Sequence, residues 1–260
     1  MPSDFALFLT PVITWDHGIT LSLSQFSGNR PALDRFIYNL ADSALLKGGV
    51  FMAFLWWQWF RRDNDTMQRR ETILTGLAGA VIAIGVARIL QIMLPFRARP
   101  LHNDVLATVP PVGVNPATLD GWSSFPSDHA VLFFALAFAV WRLHRPLGLL
   151  AGCWSVLVIC LPRVYLGYHY TSDILVGAAV GSFIMMLVFM VLRPQWLARP
   201  LLRWESAHAT SFYCLAFLAT LELAVLFQDV RQLASDGLAL AQQITVIDAA
   251  ATETPERGTR

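Results

Sequence analysis

The sequence predicts an all-α protein, a polytopic membrane helix bundle of about six transmembrane helices. Three observations lead there. The 260 residues are 55% hydrophobic and only 14% charged, whereas soluble domains carry about a quarter charged residues. Apolar runs approaching the ~20 residues of a membrane span recur at 44–60, 73–94, 129–142, 147–162, 173–192 and 210–228. Basic residues collect in alternate connections between those runs.

Residues 1–43 mix short apolar patches, such as Phe5-Ala6-Leu7-Phe8-Leu9, with polar breaks. They are too short to span, and read either as an interfacial amphipathic segment on the outer face or as a loosely ordered leader. No basic n-region with a small-residue cleavage site opens the chain, so no removable signal peptide is expected. The first run ends in Trp56, Trp57 and Trp59, which fit an interfacial aromatic belt, with core packing as the plainer alternative. The second contains Arg88 and is closed by Pro95. Arg88 lies about two turns inside and is expected to snorkel or pair within the bundle. Only Arg142-Leu143-His144-Arg145-Pro146 parts the third run from the fourth. After the fifth and sixth runs, residues 229–260 turn polar and end in Thr252-Glu253-Thr254-Pro255-Glu256-Arg257 and a short remainder, a composition expected to be disordered at its end. The predicted organisation is a segment 1–43, a membrane domain 44–228 and a tail 229–260.

Arg61, Arg62, Arg69 and Arg70 crowd the first connection, Arg142 and Arg145 the third, and Arg193, Arg199 and Arg203 the fifth. By the positive-inside rule these connections face the cytoplasm. The second (95–128) and fourth (162–172) then face outward together, and their only basic residues are Arg97, Arg99 and Arg163. Those arginines are not topological signals, which leaves chemistry. A net charge of +1 gives no basis for nucleic-acid binding. Cys153, Cys160 and Cys214 lie in apolar runs and read as buried hydrophobes, not a disulfide framework or zinc site.

Three polar islands fall on the outward side. Pro95-Phe96-Arg97-Ala98-Arg99-Pro100 ends the second run. Its prolines stiffen a loop bearing two guanidiniums, whose planar forks suit phosphate, though snorkelling to lipid headgroups is the alternative. Ser123-Ser124-Phe125-Pro126-Ser127-Asp128-His129 precedes the third run. Ser127 is a natural N-cap, and a helix starting there aims free N–H groups and a positive dipole outward, toward an anion. Asp128 opposes an anion, so its side chain is expected to turn toward helix N–H groups or a basic group. The third island holds Arg163, His169 and Asp173. With one helical turn between them, Asp173 is expected to hydrogen-bond His169 and fix its tautomer. Charges at a membrane rim are costly unless used.

In order, the three islands resemble the motifs of the PAP2 (type 2 phosphatidic acid phosphatase) superfamily. That pattern is a Lys separated by six residues from Arg-Pro, then Pro-Ser-Gly-His, then Ser-Arg with a His six beyond the Arg and an Asp four after that. This sequence supplies Arg99-Pro100, Pro126-Ser127-Asp128-His129, and Arg163, His169 and Asp173 at the same spacing, a likeness over about residues 70–190. Three positions depart: Ile92 stands for the Lys, Asp128 for the Gly and Pro162 for the Ser. The Asp128 replacement resembles bacterial undecaprenyl-pyrophosphate phosphatases of the superfamily. Arg97 is the expected substitute for the missing Lys, with Lys47 in the first run as the second candidate.

The resemblance implies a PAP2-like core and a phosphatase needing no cofactor or metal. His169 attacks phosphorus to form a phosphohistidine and Asp173 holds its ring, while His129 protonates the leaving group and then activates water. Arg99, Arg163, Arg97 and N–H groups around Ser127 neutralise the phosphoryl oxygens. The implied partners are membrane lipids and a lipid phosphate or pyrophosphate, foremost undecaprenyl pyrophosphate. The implied place is a bacterial inner (plasma) membrane with the site on the periplasmic, extracytoplasmic side. Phosphatidylglycerol phosphate, phosphatidate, lipid A phosphate and phosphotransfer to a second lipid are alternatives within the family. From other classes, the rivals are a transporter using Arg88, Lys47 and Glu222, which internal symmetry would support, and a catalytically impaired scaffold.

Overall fold

The structure is a computed structural model that describes residues 4–106, 109–192 and 194–228. The expected disordered tail 229–260 and Arg193 lie outside the described residues. Among those residues every regular element is helical. Two helices precede the first apolar run, α1 (Asp4–Ser24) and α2 (Pro31–Asp42). The short patches read from the sequence are therefore joined in one 21-residue helix. Pro31 opens α2, where its missing N–H is no loss.

The first run forms a π-helical turn, Leu45–Gly49, that continues into α3 (Val50–Phe60). The second is α4 (Thr66–Met93), and a long connection with a 3-10 turn at Pro100–His102 leads to α5 (Asp128–Leu143). Then α6 (Arg145–Trp154), a π turn (Ser155–Cys160) and α7 (Leu161–Tyr165) make one continuous helix. The sequence predicted an end at Pro162, but the helix runs on to Tyr165. Proline cannot return a hydrogen bond to the preceding turn and crowds it, and a π turn immediately before absorbs that mismatch. Arg163 consequently sits on a helix and not in a loop. The remaining helices are α8 (Thr171–Val191), α9 (Pro194–Ala207) and α10 (Ala209–Ala224).

Each predicted run thus corresponds to a helix. Thr66–Met93, Arg145–Tyr165 and Thr171–Val191 are by themselves long and apolar enough to cross a membrane. Their outward faces carry Val81, Ile89, Met93, Leu149, Leu157, Phe183 and Met190, a surface suited to lipid. At the centre lies α5, buried along most of its length by α4, α6 and α8, as a helix apolar all round requires. Small residues let α8 approach it. A Cβ on Gly181 would lie 2.0 Å from the Val131 carbonyl oxygen, and one on Gly177 2.8 Å from that of Ser127. This approach sets the start of α5 against the start of α8.

The tryptophans of the first run divide between the two readings. Trp57 faces outward, whereas Trp59 is buried, donates to Tyr213 Oη (3.1 Å) and lies under the Arg70 guanidinium. Arg70 pairs with Glu205 at 3.3 Å and Arg199 approaches Glu71 at 4.0 Å, so the first and fifth connections share one end of the bundle. The second and fourth meet at the other, where Arg97 contacts Asp173 and Leu101 N donates to Gly167 O.

Gly181→Val should lower stability by on the order of 3 kcal/mol or block folding, because backbone lies where the new side chain must go. Gly152→Ala, with open space around it, should be neutral or gain about 0.5 kcal/mol from helix propensity. Thermal unfolding in detergent distinguishes the two.

Candidate active site

The start of α5 is built as the sequence predicts, with one change. Ser127 caps the helix, its Oγ accepting from Ala130 N at 3.4 Å, while Ser127 N donates to Asp173 O at 3.2 Å. Asp128 Oδ1 accepts from His129 N at 2.8 Å. The backbone N–H groups of Ser127, His129 and Ala130 are therefore used inside the protein and do not form the anion nest expected around Ser127.

Asp128 instead orders His129. Its Oδ1 lies 2.9 Å from His129 Nδ1, and its Oδ2 accepts from Arg88 Nη2 at 2.6 Å. A carboxylate only accepts, so Nδ1 carries the proton. Arg163 Nη2, which only donates, lies 3.0 Å from His129 Nε2. Both neighbours select the same tautomer and leave the Nε2 lone pair facing Arg163. The paired Arg88 offsets the charge that set Asp128 against a phosphate. Gln91 Nε2 donates to Pro126 O at 2.8 Å, fixing the same turn from α4.

His169 is not placed as the spacing suggested. It precedes α8, which begins at Thr171, so it does not lie one helical turn from Asp173. Its Nδ1 donates to Ser124 O at 2.8 Å and stands 3.7 Å from Asp173 Oδ2, too far for a hydrogen bond. A carbonyl accepts only, so Nδ1 is again the protonated nitrogen and Nε2 the lone pair. Asp173 Oδ2 accepts from Tyr170 N at 2.8 Å, capping α8, and Oδ1 accepts from Arg97 Nη1 at 2.5 Å. Asp173 supports the His169 loop, whereas the Ser124 carbonyl orients the ring. Gly167 (φ 71°) makes the turn before it, and its oxygen accepts from Leu101 N at 2.9 Å, docking the first island on the third.

Arg99 bridges the islands. It donates to the carbonyls of Trp122 (3.2 Å), Ser123 (3.1 Å) and Tyr168 (2.7 Å), and Nη1 lies 3.4 Å from His169 Nε2. Burial draws the Arg99 pKa down from its usual value, against Asp128 and Asp173, which hold it up; a guanidinium remains charged in either case.

Arg97 is the clearest correction. It was expected on phosphate, but its guanidinium lies between Asp16 (2.8 Å) and Asp173 (2.5 Å) and over the Tyr170 ring. Its single charge is shared by two carboxylates inside the protein. Ile92 is 84% exposed, so that position on α4 points away from the cluster.

The structure brings the buried His169, Arg99, Arg163, Ser127 and Asp173 together with the partly exposed His129 in one cluster, with Arg97 behind it. Arg163 is 7% exposed, and its Nε, like Ser124 Oγ, is buried without a partner. Sequence reading missed Asp16, which is fully buried and accepts from Arg97, Ser172 N and Ser172 Oγ. A lone acid among apolar neighbours was the available signal. It also missed Asp34, buried beneath Gly28 N, Val112 N and Tyr165 Oη. Burial would raise the Asp34 pKa, but those three hydrogen bonds outweigh it and hold it below the usual value.

A family model described as PAP2 superfamily matches residues 96–197. The chain is 36% identical over 115 residues to the bacitracin transport permease protein BcrC of Bacillus licheniformis, covering 42% of this chain and 52% of that protein. It is 24% identical over 189 residues to the undecaprenyl-diphosphatase BcrC of Bacillus subtilis, covering 69% of this chain and 86% of that protein. The first relative is thus matched over about half its length. A solved transmembrane PAP2 type phosphatidylglycerolphosphate phosphatase from Bacillus subtilis aligns with a TM-score of 0.43 at 19% identity, covering 72% of this chain and 91% of that one.

Asp16→Ala should destabilise the protein by about 3 kcal/mol, because it strands two donors of Ser172 and takes from Arg97 one of its two carboxylates. A double-mutant cycle with Arg97→Gln, read by thermal unfolding in detergent, should show strong coupling between the two positions.

Proposed function

We propose that this membrane protein, whose residues 96–197 match the PAP2 superfamily model, hydrolyses a lipid phosphate or pyrophosphate through a phosphohistidine. One observation carries the reading. Two histidines have their Nδ1–H tied back, and each presents Nε2 to an arginine, beside a buried Arg163 Nε that lacks a partner. An anion between the arginines would satisfy the orphaned donor and lie against both lone pairs.

His169 Nε2 attacks phosphorus in line, the bond from phosphorus to the leaving oxygen breaks, and that oxygen takes a proton from His129 Nε2. His129 enters this step protonated at both nitrogens, having taken a proton at Nε2 from the phosphate of the substrate as it binds, and Asp128 balances the imidazolium through Nδ1–H. Arg163, which meets Nε2 in the free site, turns to the phosphoryl oxygens. In the second step neutral His129 takes a proton from water, oxygen attacks phosphorus, and the bond from phosphorus to nitrogen breaks to release phosphate. Asp173, 3.7 Å from His169 Nδ1, stabilises the positive ring of the intermediate. Arg99 and Arg163 carry the charge of the equatorial oxygens.

The positive-inside bias supports a site on the extracytoplasmic side of a bacterial plasma membrane. There the lipid chain would lie along the spans of the membrane domain 44–228 while its headgroup enters the cluster. Undecaprenyl pyrophosphate is our preferred substrate, a choice supported by the name of the Bacillus subtilis relative and by the Asp128 position.

Purified protein should release phosphate from a polyprenyl pyrophosphate in the presence of EDTA. His169→Ala should abolish release, and His129→Ala should lower kcat by roughly 10²–10⁴-fold. Loss of activity with the chelator, or full activity in His169→Ala, would sink the mechanism. A phosphate-release screen across lipid phosphates and pyrophosphates identifies the substrate.

A further inference from the structure

At the outer end of the first membrane helix lies a cation that the mechanism above does not use. Lys47 is 5% exposed, and it belongs to none of the ion pairs formed among the described residues. A buried ammonium without a counter-ion is costly. Its electrostatic neighbours are Arg163, Asp42 and Asp128, and its charge also acts on His129. Arg163 adds repulsion to the burial cost, and the Arg163 Nε is itself without a partner. Two buried cations that act on each other and have donors to spare describe a place for an anion.

The backbone is arranged to hold Lys47 there. It sits within the π turn Leu45–Gly49, a distortion that re-aims side chains and recurs at functional sites. Trp154 Nε1 pins that turn by donating to Leu46 O at 2.8 Å. On another side α10 closes on it, since a Cβ on Gly48 would lie 2.2 Å from the Ala224 Cα. The turn is gripped between α10 and the helix that carries Arg163 near its end.

Location then selects which phosphate Lys47 meets. The Lys47 turn packs on the helix whose Arg163 meets the acid His129, and its charge acts on that histidine, whereas the attacking His169 is met by Arg99. In an in-line displacement the nucleophile and the leaving oxygen lie on opposite sides of phosphorus. Lys47 is therefore on the side of the leaving group. We propose that Lys47 binds the phosphate that stays on the lipid, making the site selective for diphosphate over monophosphate esters. The inference rests on the phosphatase reading above.

The test compares wild-type protein with Lys47→Met on a polyprenyl diphosphate and on the matching monophosphate. One lost charge-assisted contact should lower kcat/KM for the diphosphate by ~10–100-fold, with the monophosphate changed less than about threefold. Lys47→Arg should keep the discrimination. Inorganic pyrophosphate should raise the unfolding temperature of the wild type more than orthophosphate does, and that difference should vanish in Lys47→Met. Equal losses on both lipids, or an unchanged pyrophosphate effect, would overturn the role of Lys47. Should Lys47→Met fail to fold, Lys47→Gln serves in its place and has to lose the discrimination. A wild type that releases phosphate from neither lipid would overturn the phosphatase reading, and the pyrophosphate comparison would still decide Lys47.

Discussion

Much of the outer end of the bundle depends on the contact between Arg97 and Asp173 (2.5 Å). Asp173 is fully buried, and in a low-dielectric interior an unpaired carboxylate is untenable. Arg97 neutralises it, and Asp16 shares that guanidinium, which fastens α1 to the loop after α4. The other Asp173 oxygen caps α8 through Tyr170 N, and its backbone carbonyl receives Ser127 N. One residue thereby joins α1, the arginine loop, α5 and α8. That is a structural task, and it explains why Arg97 has no charge left to offer a phosphate.

Around this knot the charges sort into two groups. The cations Arg88, with Asp128, and Arg97, with Asp16 and Asp173, are paired inside the protein. Arg163 and Lys47 join no ion pair with a carboxylate among the described residues, although both are buried. Balanced pairs hold geometry at modest net gain, whereas unbalanced buried cations raise the energy of the empty site and lower that of an anion within it. The site is organised by the first group and made attractive by the second.

What was legible in the sequence follows from this division. Apolar runs gave the helices because lipid admits no backbone group without an internal partner. The islands at their ends gave His129, His169, Arg99 and Arg163, since such residues are too costly at a membrane rim to be incidental. Local backbone detail was not legible. Four residues separate His169 from Asp173, a helical spacing, yet α8 starts only at Thr171, so the ring found the Ser124 carbonyl instead. Ile92 lies on the lipid side of α4, while a π turn in another helix brought Lys47 inward; periodicity read at 3.6 residues per turn cannot show either. Asp16 depended on a tertiary partner 81 residues away, beyond any local pattern.

The length of α5 has a consequence of its own. Its 16 residues rise about 24 Å, against a hydrocarbon core of about 30 Å. A central helix that short cannot reach both headgroup planes, and under the proposed function its first turn, with Ser127 and His129, is the end recessed below one of them. The headgroup of the proposed substrate would reach it by sinking through a dent in the leaflet, which would make bilayer thickness a parameter of the proposed reaction. A thinner membrane would shorten that descent, and a thicker one would add a deformation of the leaflet to each turnover.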